Sequence, residues 1–105
     1  NIMANYDIGN STAKKYDTKL ELKMLQPWLA NIHIKDRKFN GYTVPLGQGD
    51  VNFDLFFSTL QKINYNGDLI IQGAREDLND STITSESTCK KYFTFVENYI
   101  EKYKP

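Results

Sequence analysis

The stretch NIHIKDR, Asn31 to Arg37, holds the only histidine of the chain, set between two isoleucines and followed at once by two cations and a carboxylate. In an extended run successive side chains alternate, so His33 and Lys35 share one face and Ile32 and Ile34 the other. If the isoleucines pack under helices, the imidazole and the ammonium point to the ligand side of a sheet or into a barrel. Asp7 closes an earlier run of the same kind. One carboxylate and one imidazole from neighbouring strands make half of a divalent-metal site, which needs further oxygen or nitrogen ligands. Each group also has an ordinary role: Asp7 as a loop-capping carboxylate, His33 as a structural imidazole, Lys35 as a cation reaching out to water.

Other strand ends add Asn10, the neighbours Asp36 and Arg37, and the pair Gln72 and Arg75. Asp36 and Arg37 can form a local salt link, Gln72 can satisfy backbone, and Arg75 can be a solvated loop cation. In parallel α/β folds reactive groups gather at the C-terminal ends of strands, where loops meet over the sheet. Polar groups at three successive ends exceed what a core needs. The segment PLGQGD could cradle an anion with its backbone amides, yet it lacks the lysine and serine of a nucleotide-binding loop. Its glycines equally serve a tight loop before a capped helix.

These groups need elements to hold them. Ile2 to Ile8 reads as a strand ended by the turn signal Gly9-Asn10, and Ser11 to Asp17 as polar loop with at most one helical turn. A helical pattern from Asp17 sets Leu22, Leu25 and Leu29 on one side, broadened by Leu20 and Met24, until Pro27 breaks it. Asn31 to Lys35 is the second strand, and Asp36 to Asp50 a long connection of the kind that often carries function. Asn52 to Ile63 is the clearest helix, with Phe53, Phe56, Phe57, Leu60 and Ile63 in one stripe, Asn52 as cap and Val51 as a staple on Phe56. Asp68 to Gln72 reads as a short strand covered on both faces. A loop from Gly73 to Thr82 leads to a last helix, Ile83 to Tyr103, with Cys89, Tyr92, Phe93, Val96, Ile100 and Tyr103 on its apolar face. Cys89 is there an inert core thiol.

Strands alternating with helices imply parallel pairing through right-handed crossovers. The 105 residues, 40% hydrophobic and 25% charged, suit one soluble unit or part of a larger one. Thirteen basic and thirteen acidic side chains cancel, which argues against nucleic acid as a partner. A single cysteine excludes an internal disulfide, no apolar run reaches the ~20 residues of a membrane span, and nothing at the N-terminus has the basic-then-apolar form of a signal peptide, so the expected compartment is the cytoplasm. The start at Asn1, without Met and directly in an apolar run, reads as a truncation.

The segments YDIGN, NIHIKDR, TVPLGQGDVNF and NYNGDLIIQGAR, in this order and spacing, closely resemble the C-terminal part of the sugar phosphate isomerase/epimerase family, the xylose-isomerase-like TIM barrels. There a strand ends in Asp with His or Asn three residues on, the next ends in His-Ile-Lys-Asp, and a Leu-Gly-x-Gly loop precedes a helix. The resemblance covers Tyr6 through Arg75. It implies an α/β fold in which residues 1–105 supply about three βα units, the C-terminal part of a (β/α)8 barrel with parallel strands. It also implies a divalent ion (Mn, Mg, Co or Zn) held by Asp7, His33 and the strand-eight position, here Gln72, with a further glutamate falling before Asn1. The implied substrate is a sugar or sugar phosphate, contacted by Asn10, Lys35, Arg37 and Arg75. The implied chemistry is proton transfer next to a carbonyl, with Asp36 orienting a neighbour. Gln72 departs from the usual glutamate and cannot relay a proton; Asn10 stands where the family often has His.

The isolated chain, lacking half the expected site, is expected to be inactive, and association with further copies is open. Two other functions on the same barrel are a sugar-binding or degenerate barrel without turnover, suggested by Gln72, and a metal-dependent endonuclease-type phosphodiesterase. The latter calls for more histidines and a basic surface.

Overall fold

The computed structural model describes residues 3–73 and 85–104. Three strands form a parallel sheet in the order β1 (Ala4–Asp7), β2 (Leu29–Ile34) and β5 (Asp68–Ile71). Between β1 and β2 come α1 (Ile8–Ala13), α2 (Thr18–Leu25) and a 3-10 turn over Gln26–Trp28. Between β2 and β5 come the short strands β3 (Asp36–Arg37) and β4 (Thr43–Val44), which pair antiparallel, and then α3 (Phe53–Lys62). The helix α4 (Ser85–Lys102) follows β5.

Register sorts the sheet's side chains into two sets. Tyr6, Ile32 and Leu69 lie abreast, as do Ile34 and Ile71, and the first strand's continuation Ile8 joins them on the helix-covered side. Ile8, Ile32 and Ile34 are wholly buried there with Leu22 of α2 and Phe56 of α3. On the opposite side Asp7, His33 and Ile70 stand in one row. Ile70 is 40% exposed, so within this part of the chain only the helix-side face of β5 is covered.

The helix stripe from Phe53 is as the spacing predicts: Phe53, Phe56, Phe57, Leu60 and Ile63 are all buried. Asn52 caps α3 by accepting from Leu55 N at 3.0 Å. The last helix turns inward a face that keeps Tyr92, Val96 and Tyr103 of the predicted one and adds Phe95 and Tyr99. Phe95 meets Phe53 edge-on at 5.1 Å, and Tyr99 stacks on Phe57 at 5.3 Å. Tyr92 and Val96 are buried, whereas Cys89, Phe93 and Ile100 are exposed. Cys89 is therefore a surface thiol, because the aromatic rings of α3 pull the 92/95/96/99 face toward themselves. On α2, Leu22 is buried but Leu20 and Met24 are 56% and 65% exposed, so the broadened stripe is also corrected.

The predicted turn at Gly9-Asn10 is instead helix. Asp7 caps it, accepting from Asn10 N, and the helix begins one residue later. Gly9 serves packing here: a Cβ on it would stand 2.8 Å from Lys35 O, so only glycine lets α1 lie against the end of β2.

Candidate functional site

The C-terminal ends of β1 and β2 bring the polar groups together. Asp7 is paired with His33 in register, so carboxylate and imidazole leave adjacent strands on the same face. Asp7 divides its oxygens: Oδ1 accepts from Asn10 N at 2.9 Å, and Oδ2 lies 3.2 Å from Lys35 Nζ. Both side chains of that ion pair are 18% exposed, a setting in which it is screened less than a surface pair. Asp7 thus has the ordinary capping role and still faces the site, since a carboxylate offers about four lone-pair positions and two remain.

Gln72 continues the same row beyond β5. Its backbone N donates to Ile34 O at 2.8 Å, which sets it abreast of Lys35. Asp7, His33, Lys35 and Gln72 therefore occupy one face of three neighbouring strands. Arg75 lies outside the described residues. Among the described residues no three His, Cys, Asp or Glu side chains gather as a metal-holding group. A carboxylate, an imidazole and an amide oxygen suit a divalent cation in kind, and a full shell would draw its remaining donors from elsewhere.

Asp36 and Arg37 do not pair with each other. The Asp36 carboxylate, 1% exposed, turns to the glycine-bearing loop: Oδ2 accepts from Gly47 N and Gly49 N, each at 2.9 Å, and Oδ1 from Val51 N at 3.2 Å. The amides that could have cradled an external anion hold this internal one. Gly47 has φ +90°, and a Cβ on Gly49 would collide with the Asp36 carboxylate, so both glycines are required by that arrangement. Asp36 is the structural residue that strand-end chemistry alone undervalues; its signal is an aspartate followed by a glycine-rich loop before a helix.

Arg37 closes the hairpin of β3 and β4. Its Nε and Nη2 donate to Gly41 O at 3.1 and 2.7 Å, and Nη1 donates to Asn10 Oδ1 at 2.8 Å. Three of the five guanidinium N–H groups are thereby used within the chain. Behind the site, Tyr6 and Ser11 both donate to Glu21 Oε1. Burial, more than the Glu21 charge, pushes the Tyr6 phenol up to about 12.

Known proteins share this sequence and fold. The chain is 35% identical over 75 residues to L-ribulose-5-phosphate 3-epimerase UlaE of Escherichia coli, a match over 70% of this chain and 26% of that protein. It is 32% identical over 84 residues to the UlaE of Shigella flexneri, covering 79% of this chain and 30% of the relative. The chain thus spans between a quarter and a third of the curated relatives it matches. Among solved structures, a xylose isomerase domain protein from Planctomyces limnophilus superposes with a TM-score of 0.75 at 25% identity, over 97% of this chain and 39% of that one. A D-allulose 3-epimerase from Methylomonas sp., solved with D-allulose, superposes with a TM-score of 0.72 at 17% identity, over 92% of this chain and 36% of that one, a likeness of fold. A sequence model of the xylose isomerase-like TIM barrel family matches residues 1–88. With parallel strands, covering helices and polar groups on one rim, the chain belongs to the xylose isomerase-like TIM barrel family, of whose barrel it forms a part.

Proposed function

We propose that residues 1–105 are the C-terminal three βα units of a complete barrel that epimerises or isomerises a ketose or ketose phosphate by moving a proton next to the carbonyl. The observation that carries this is the in-register placement of Asp7 and His33, with Lys35 and Gln72 one step further on the same face. The relatives' activity on L-ribulose 5-phosphate supports the substrate class.

Asp7, His33 and Gln72 would hold a divalent ion (Mn, Mg, Co or Zn), joined by ligands from outside this chain. When bound, such an ion stabilises negative charge developing on a sugar oxygen. Asp7 keeps one oxygen tied to Asn10 N, so its orientation is set before any ligand arrives. Lys35 supplies a positive charge beside that carboxylate and a donor for a substrate hydroxyl or anion. Asn10 contacts substrate on the α1 side of the site with Arg37 bonded to it, and Arg75 is a further proposed substrate contact. Gln72 can offer an amide oxygen but cannot take a proton, so this strand end supplies no proton relay of the kind a glutamate there would give. By itself the chain is inactive. Gln72 also favours a second function, a sugar-binding barrel without turnover.

The test is Mn²⁺ titration of the full-length protein by calorimetry, with L-ribulose 5-phosphate epimerisation followed in parallel. His33→Ala should lose at least tenfold in metal affinity. Unchanged affinity rejects the ligand set; intact binding without turnover of any ketose selects the sugar-binding alternative.

A further inference from the structure

Asn10 and Arg37 come from different elements, α1 and β3, and meet side chain to side chain at 2.8 Å. The same guanidinium grips Gly41 O through two nitrogens. Next to Gly41, Asn40 N donates to Ala13 O at the end of α1 over 2.9 Å. Hairpin and helix are laced together at both places.

A guanidinium has donors only, so the carboxamide atom facing it is the oxygen. The half-turn ambiguity of an asparagine amide is removed by chemistry at this position. Nδ2, with its two N–H groups, is turned away from Arg37. Asn10 is exposed, its backbone N rests on Asp7 Oδ1, and among the described residues no acceptor is bonded to Nδ2.

We infer that Arg37 is a positioning residue that fixes Asn10 as a hydrogen-bond donor, so that the site beside Asp7 selects an acceptor oxygen of the ketose. This deepens the function proposed above and rests on Asn10 facing the substrate. A group at that place that could only donate would meet the Nδ2 protons and be rejected. Arg37 therefore acts through Asn10, and its substitution should reproduce that of Asn10.

The experiment uses full-length protein with L-ribulose 5-phosphate and D-allulose as probes. Arg37→Met should raise KM about tenfold, the worth of one hydrogen bond to a sugar oxygen, with kcat within about twofold. Asn10→Ala should do the same, and the double variant should be no worse than either, because both remove the same oriented donor. Arg37→Lys keeps a donor for Asn10 Oδ1 and should recover most of the loss. Asn10→Asp places a second acceptor where Nδ2 stood and should exceed Asn10→Ala. The inference is overturned if Arg37→Met lowers Tm while KM stays at the wild-type value, or if the two single effects multiply. Should wild type neither bind nor turn over either ketose, the proposed function fails by itself. The clamp is then judged by NMR: the Asn10 Nδ2 protons should interchange slowly in wild type and faster in Arg37→Met, and equal rates overturn it.

Discussion

Replacing Asp36 by asparagine changes one atom, and its consequence can be worked from the geometry. Oδ2 takes two amides, Gly47 N and Gly49 N at 2.9 Å, whereas Oδ1 takes only Val51 N at 3.2 Å. An asparagine keeps most by leaving its oxygen with the glycines, which sets its NH2 against Val51 N, donor facing donor. One charge-assisted bond is lost, the buried Val51 amide is stranded, and the other two bonds weaken to neutral strength, for a total of about 2–3 kcal/mol. Asp36→Ala abolishes all three; since Gly47 is exposed and can rehydrate, about 3–5 kcal/mol follows instead of the full sum. In a barrel-sized protein Asp36→Asn should lower Tm by roughly 5–10 °C. Differential scanning calorimetry of the full-length variants measures this, with limited proteolysis reporting whether cleavage moves into residues 45–51. A loss below about 0.5 kcal/mol for Asp36→Asn, or protease resistance unchanged in both variants, would refute the role assigned to the carboxylate.

Two further substitutions probe the elements around the site. Gly9→Ala would ordinarily stabilise a helix by up to about 1 kcal/mol, but its Cβ would meet Lys35 O at 2.8 Å, and backbone cannot yield cheaply. A net loss of about 1–3 kcal/mol in urea unfolding is expected; a more stable variant would contradict the packing. For Tyr6, the folded phenol is raised to about 12 from its ordinary 10, so its contribution is complete below pH 10 and lost as pH climbs toward 12. Tyr6→Phe should flatten that alkaline decline, and parallel stability curves for both proteins over pH 9–12 would rule it out.

Much of the scaffold was legible because local rules decide it. The cap at Asn52 and the phenylalanine stripe of α3 are set by spacing within one helix, and the alternation around His33 by strand pleat. What escaped was settled by distant neighbours. Gly9-Asn10 carries a turn signal, yet the Asp7 cap and the close approach of Lys35 make it helix. The inward face of α4 depends on where Phe53 and Phe57 sit, which no periodicity within α4 encodes. At the site, Asp7, His33 and Lys35 were visible as a pattern, while the partners of Asp36 and Arg37 were not. Both bond mainly to backbone groups, which have no letter in the sequence.

The alternation of the three strands separates two kinds of selection. Ile8, Ile32 and Ile34 on the helix side carry the packing, while the polar groups opposite them, the Asp7 cap on α1 apart, bury little against that core. Position 72, just past β5 and exposed, can therefore pass between amide and carboxylate at little thermodynamic consequence for the scaffold. A sheet built this way lets most side chains along that rim be exchanged singly, each tried on a framework whose packing lies on the other face.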